Sequence, residues 1–240
     1  MDYGIQLYSI RDVAERDFEA ALRTAAEIGY TMVESAGFFG HDAATVKNWL
    51  KKYHLTLCST HTGTGDLEKD LEGTLRLHEE LGCHDLIIPA ASVRNKEKLD
   101  KLIRNLNTWI PQAAARGIRI HYHNHDNEFL PNEDGLIPMD ELLNRTEVLF
   151  EIDIYWAFMA GRDPVALMDQ YGDRVRFIHL KDGLLDRTDK ALGEGEAPVL
   201  AAREKAMATG RTIVVESEGL DPTGPEEIGR CMAFLKSLEQ

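Results

Sequence analysis

Eight short apolar runs recur along the chain, at 4–8, 30–34, 55–61, 85–89, 118–123, 148–153, 175–180 and 212–216. Between them lie longer stretches whose apolar residues fall three and four apart. In 18–28 these are Phe18, Ala21, Leu22, Ala25, Ala26 and Ile28, and 44–53, 67–81 and 99–115 follow the same spacing. Several of the helical stretches end in a glycine just before the next run (Gly29, Gly82, Gly117, Gly210), where a left-handed cap costs a residue without Cβ nothing. Strands that alternate with helices pair in parallel, because each crossover returns the chain to the same end of the sheet. Eight such units close into a barrel, whereas five or six leave an open doubly wound sheet. The expected fold is therefore α/β, a (β/α)8 TIM barrel spanning 1–240 as a single domain. An open sheet with the last strand over-counted is the alternative.

Composition narrows the function. Apolar residues make up 43% and charged residues 28%, enough for a large core and too apolar for a disordered chain. The net charge of −14 repels phosphate backbones and anionic lipid, which argues against nucleic-acid and membrane partners. No apolar run approaches the ~20 residues that span a bilayer. Cys58, Cys83 and Cys231 are odd in number and contain no CxxC pair. With no signal-peptide pattern in MDYGIQLYSI, a cytoplasmic protein is expected.

Barrel enzymes carry their chemistry where strands end. Here the second run ends in Glu34, the third in His61, and the fifth in His121-Tyr-His123-Asn-His125, with Glu128 following. The sixth ends in Asp153 with Trp156 three residues on, the seventh in His179 with Lys181 and Asp182, and the eighth in Glu216 with Glu218. A carboxylate at the end of a buried strand is costly without a counter-charge. Asp153, His179 and Glu216 on successive strands suit one divalent ion, Zn²⁺, Mn²⁺, Co²⁺ or Mg²⁺. His41, His54, His78 and His84 fall on or beside helices and are expected at the surface; Trp49 and Trp109 are expected in the core. Gly63-Thr-Gly65 lacks the third glycine of a dinucleotide fingerprint, and no Walker A, HExxH or GxSxG pattern occurs.

Seven segments carry a resemblance: VESAGFFG at 33–40, STHTG at 59–63, IHYHNHDNEF at 120–129, EIDIYWAFMAGRDP at 151–164, FIHLKDG at 177–183, GEGEAP at 193–198 and VVESEG at 214–219. In them the chain resembles the xylose isomerase-like barrel superfamily of sugar phosphate isomerases and epimerases. That resemblance implies one catalytic divalent metal held by side chains from strands five to eight, with Asp153, His179 and Glu216 at the last three positions. At strand five the chain departs from the pattern, having histidines where many members place a glutamate. Either His123 takes the metal position, or Glu128 folds back to it as ligand or acid/base.

Such a site abstracts a proton beside a carbonyl. Glu216, His123 and Glu128 are the candidate bases, and Lys181 is the candidate electrophile for a developing oxyanion. Glu34, His61 and His125 are expected to contact substrate hydroxyls, and Trp156 to offer its face to a sugar ring. The first expectation is a sugar or sugar phosphate isomerase or epimerase. The second is a lyase or dehydratase acting on a keto-sugar or 3-keto-glycoside. An abasic-site endonuclease is disfavoured by the acidic charge, and a catalytically idle sugar-binding barrel is the remaining class. The partner expected is a small carbohydrate, and exposed barrel helices are compatible with a homo-oligomer.

Overall fold

In the computed structural model, which describes residues 1–239, the eight expected runs form parallel strands. They are β1 (Gly4–Gln6), β2 (Met32–Ser35), β3 (Thr56–His61), β4 (Asp85–Ile88), β5 (Arg119–His123), β6 (Leu149–Asp153), β7 (Val175–Leu180) and β8 (Thr212–Val215). Each pairs with its neighbour in sequence, and β8 meets β1 through Gly4↔Val214 and Ile5↔Val215, so the sheet is a closed barrel. Helices α1 (Phe18–Ile28), α2 (Ala43–Lys52), α3 (Thr64–Leu81), α4 (Lys96–Ala114), α5 (Pro138–Arg145), α6 (Pro164–Tyr171), α7 (Val199–Ala208) and α8 (Gly224–Ser237) supply the crossovers. Among the described residues, no helix is long and apolar enough to cross a membrane.

Local sequence accounts for the helix ends. Asp17, Asp42, Asn95 and Thr223 each accept a backbone N–H of the first turn and so start α1, α2, α4 and α8. Gly29 and Gly82 close α1 and α3 at φ 114° and 73°, where a Cβ would be strained.

Strand alternation sorts the side chains. On β6, Phe150 faces outward onto Tyr171 of α6, with ring centroids 5.0 Å apart. Glu151 and Asp153 therefore take the inner face. Inside the barrel sits an apolar plug of Cys58, Ile87, Phe177 and Val214. His179 and Glu216 lie two residues further along their strands than Phe177 and Val214, which puts the polar residues one layer nearer the strands' C-terminal end.

Three features differ from the sequence reading. β1 stops at Gln6 because the chain tightens into a 3-10 turn over Leu7–Ile10, capped by the Gln6 side chain. Asp182–Gly183 and Asp189–Lys190 form a small antiparallel ribbon after β7. His78 is buried rather than exposed. Its Nδ1 donates to the Thr74 carbonyl at 2.8 Å, and Nε2 accepts from Thr60 Oγ1 at 2.7 Å. His41, His54 and His84 are exposed as expected, and Trp109 is in the core with Trp49 packed against it.

At the other end of the barrel, Asp85 joins β4 to β5. It accepts from His121 Nε2 at 2.7 Å and from Arg119 at 2.7 and 2.6 Å. Burial alone would raise the Asp85 carboxyl, but the hydrogen bonds from His121 and Arg119 outweigh it and hold the group at about 2. Because the folded value lies below the unfolded one of about 3.9, the pair stabilises the fold above that pH and loses its effect as pH falls toward 2. Asp85→Asn is expected to cost roughly 2 kcal/mol in urea unfolding at pH 7, discounted because Arg119 is half exposed. The gap between variant and parent should narrow at pH 3; a gap equal at both values would remove the ion pair as its cause.

Candidate metal centre and active site

The last residues of β5 to β8 converge at the barrel mouth. His123, Asp153, His179 and Glu216 each offer one donor atom, and these atoms lie within 4.8 Å of one another. All four residues are buried. Hydrogen bonds assign how each presents itself. His179 Nε2 donates to Glu34 Oε1 at 2.8 Å, which leaves Nδ1 with the lone pair. That nitrogen is 3.3 Å from Glu216 Oε2, yet no hydrogen bond is aligned between them. His123 Nδ1 donates to Glu151 Oε2 at 3.2 Å, leaving Nε2 as its unprotonated nitrogen. Asp153 uses Oδ1 to accept the Trp156 N–H at 2.9 Å and cap the short helix Ile154–Met159. Its Oδ2 is buried with no partner.

Two imidazole lone pairs and two carboxylate oxygens facing one another, without protons between them, are what a divalent cation requires. The electrostatics show the strain of four such groups together: at His179, burial is outweighed by Glu151, Glu216 and Glu34, which hold the imidazole well above its ordinary range, so an ion would take the place of a proton on Nδ1. Burial pushes Asp153 up to about 7, with Glu216 adding to the effect against Lys181. Burial, followed by the neighbouring His179 and His61, holds His123 well below the ordinary histidine range. For Glu216, burial is outweighed by Lys181 and His179, and the carboxyl stays well below its usual range. The donor set fits a divalent ion.

A second ring adjoins the cage, with His61 reaching the same mouth. His61 Nε2 sits 3.0 Å from Glu34 Oε1 and 3.1 Å from Glu151 Oε2, and His179 Nε2 is 3.2 Å from Glu151. Gln6 Nε2 donates to Glu34 at 2.7 Å and Ser59 Oγ donates to its other oxygen. His61, His123, Glu151 and His179 could also hold an ion, but their imidazole–carboxylate contacts are already hydrogen bonds. This ring orients His179 and His123. Sequence reading missed Glu151, although it lies two residues before Asp153 and strand alternation puts both on one face. It also missed Asn124, which bridges the ends of β5 and β6 by donating to the Asp153 carbonyl at 3.2 Å and accepting its N–H at 3.0 Å.

A cavity of about 500 Å3 opens above the cage, lined by Tyr8, His61, His123, His125, Glu216 and Glu218 among others. His61 and His125, expected to contact substrate hydroxyls, both line this cavity. β5 ends at His123, but the loop still turns His125 toward the cavity, its ring 5.1 Å from that of His123. Lys181 is wholly buried, 3.4 Å from Glu216 and 2.6 Å from Glu218. Asp182 accepts backbone N–H groups from Gly183, Gly193, Gly195 and Ala197, folding the 193–197 loop beside the mouth. A Cβ at Gly195 would overlap that carboxylate.

Four expectations need correction, the first being Lys181, expected to meet a substrate oxyanion but wholly buried against Glu216 and Glu218. Glu128 does not fold back to the metal position; Tyr122, on the outward face of β5, donates to its Oε1 at 3.1 Å and the His125 N–H to its Oε2 at 3.0 Å. It positions the His125 loop. Glu34 is wholly buried with both oxygens engaged, so it braces His179 instead of meeting substrate. Trp156 gives its ring to Lys181 and Arg187, at 5.1 and 5.6 Å from the centroid, instead of to the cavity.

Comparison with known proteins agrees with the closed barrel. The family model described as xylose isomerase-like TIM barrel matches residues 22–238. An inosose dehydratase of Geobacillus kaustophilus (strain HTA426) is 25% identical, over 68% of this chain and 61% of its own length. The inosose dehydratase of Clostridium beijerinckii (strain ATCC 51743 / NCIMB 8052) is 26% identical, over 79% and 72%. This chain thus spans somewhat under two thirds of the first of these relatives. A crystal structure of a sugar phosphate isomerase/epimerase from Parabacteroides distasonis ATCC 8503 superposes with a TM-score of 0.83 at 26% identity, covering 98% of this chain and 93% of that one.

The cage makes a prediction that does not depend on substrate. After dialysis against a divalent ion, elemental analysis should find about one equivalent in the parent, none in Asp153→Asn or His179→Ala, and an affinity weakened roughly 10- to 100-fold in Glu34→Gln. Full metal retention in both cage variants would refute the assignment.

Proposed function

The chain belongs to the xylose isomerase-like TIM barrel family, and from that premise we propose that it is a metal-dependent lyase. It would remove a proton beside the carbonyl of a small polyhydroxylated ketone and expel an oxygen leaving group from the β-carbon. The observation that carries this reading is the asymmetry of the catalytic groups. Glu216 is the one carboxylate of the cage that also lines the cavity, and the other titratable groups lining it are His61, His123, His125, Tyr8 and Glu218. Inverting or relocating a proton is served by a second base on the opposite side of the carbon; expelling an alkoxide or hydroxide is served by a group that can give it a proton. A bank of imidazoles is suited to the second task.

His123, Asp153, His179 and Glu216 would hold the ion, which supplies positive charge that acidifies the C–H beside a carbonyl and offsets the charge left on its oxygen. The rest is the work of this chain's own side chains. Glu216, kept ionised by the Lys181 ammonium 3.4 Å away, takes the α-proton. Lys181 stabilises that carboxylate and is not itself open to the cavity. His125, held by the Glu128-bound loop, and His61, held by Glu34 and Glu151, would protonate the departing oxygen. The names of the two inosose dehydratases support elimination. Isomerisation or epimerisation is the second reading, favoured by the likeness to the Parabacteroides distasonis protein.

A panel of ketoses, inososes and 3-keto-glycosides incubated in D2O separates the two. Elimination predicts release of water or an alcohol with an unsaturated ketone; deuterium gained without any released fragment would establish isomerase or epimerase chemistry instead. Glu216→Gln should lower kcat by about 10²–10⁴ with far-UV circular dichroism unchanged, and chelation of the metal should abolish turnover reversibly. Activity surviving in Glu216→Gln would remove it as the base.

A further inference from the structure

A second hollow, of about 430 Å3, lies along α3 on the β3 side of the cavity above the cage, and the His61 side chain lines both. Phe38 and Leu77 give this hollow apolar walls, and Asp66, Lys69, Asp70 and Thr74 give it polar ones. Alternating apolar faces and hydrogen-bonding groups of both kinds suit a hydroxylated ring, whose C–H faces are apolar and whose edge is polar. The shape is built in. α3 breaks at Asp70 (φ −156°, ψ 79°), and the Asp70 carboxylate accepts the Gly73 N–H at 2.8 Å, restarting the helix at an angle. A Cβ at Gly73 would overlap that carboxylate, so the bend depends on glycine there.

Charge narrows the ligand further. The charged lining of the inner cavity is Glu216, Glu218 and histidines, and the nearby Lys181 ammonium is already shared by those two glutamates. A phosphoryl group would bring about two negative charges against these acids with no guanidinium to receive it. The inner cavity suits an uncharged ring.

Resting on the elimination reading above, we infer that the substrate is an uncharged two-ring keto-glycoside. Its keto ring occupies the Glu216–His125 cavity, and its second sugar, the leaving group, occupies the Phe38–Lys69 hollow. His61, common to both, then lies at the glycosidic oxygen between them. The step is balanced without any oxidant. The α C–H bond breaks and its proton goes to Glu216; its electron pair forms the C=C bond. The C–O bond to the second sugar breaks with its pair on oxygen, which takes a proton, so that sugar leaves as a free hydroxyl compound. The ketone is already present in the substrate, so a preceding reaction of the class that oxidises a ring hydroxyl must supply it.

The test uses metal-loaded full-length enzyme with three probes, a 3-keto-hexose, a 3-keto-disaccharide and a phosphorylated 3-keto-hexose. The disaccharide should be preferred over the hexose by at least about tenfold in kcat/KM, the worth of roughly 1.4 kcal/mol of leaving-group binding. Thr74→Trp, which fills the hollow, and the milder Lys69→Ala should raise KM for the disaccharide about tenfold and about threefold, while α-hydrogen exchange of the hexose in D2O changes less than about twofold. Hexose and disaccharide handled equally, or both variants without effect on the disaccharide, would overturn the two-ring assignment. Preference for the phosphorylated hexose would overturn the uncharged one. If no ketone exchanges its α-hydrogen, the elimination reading falls and this inference with it, a result distinct from a mere loss of disaccharide preference.

Discussion

Buried negative charge at the barrel mouth is the constraint on which the site depends. Glu34, Glu151, Asp153 and Glu216 are all enclosed, and one lysine, Lys181, is enclosed with them. Carboxylates taken out of water are stable only against positive charge or aligned donors. Glu34 solves the problem with donors from Gln6, Ser59, His61 and His179. Glu216 solves it in part with Lys181. Asp153 does not solve it: one of its oxygens has no partner, and burial drives its carboxyl up to about 7. The unsolved remainder is localised where two imidazole lone pairs also point, and a divalent ion there satisfies all of them together.

A closed ring of strands is what brings these groups within reach of one another. Parallel strands in register place Asp153 beside His179 and His179 beside Val214, one residue pair below Glu216. The apolar plug of Cys58, Ile87, Phe177 and Val214 fills the barrel under this layer, so the polar ring has a dry floor in which hydrogen bonds are strong and geometry is held. The adjoining ring of Glu34, His61 and Glu151 then fixes which nitrogen of His179 and of His123 faces the cage. Tautomer choice, and with it ligand competence, is set by groups beside the cage.

Much of this was readable in the sequence because barrel geometry converts strand ends into neighbours. The eight runs, the glycine caps and the convergence of Asp153, His179 and Glu216 followed from periodicity and position. What escaped depended on which way a loop or a side chain turns. Glu128 looks equivalent to a ligand in sequence, but its oxygens are claimed by Tyr122 and the His125 N–H behind the strand. Trp156 looks like a platform for a sugar ring, yet two cations already occupy its neighbourhood. His78 reads as a surface residue on a helix, but α3 bends at Asp70, and Thr60 and the Thr74 carbonyl receive its ring in the interior. Tertiary hydrogen bonding decides each case, and a local pattern carries no record of it.

The histidine at the end of β5 has consequences beyond ligation. A glutamate at that position would add a fifth carboxylate to the four already buried in the two rings, and a second base beside the cavity that Glu216 lines. His123 instead contributes a neutral donor, held uncharged by burial and by its imidazole neighbours, so a bound dication is neutralised by Asp153 and Glu216 alone. Such a cage, one negative charge fewer than a three-carboxylate set, would leave the ion more attractive to the oxygen of a ketone, with Glu218 the other carboxylate lining the cavity. On the elimination reading proposed above, a histidine at this position would put an imidazole, able to give a proton, where a carboxylate would offer a second base.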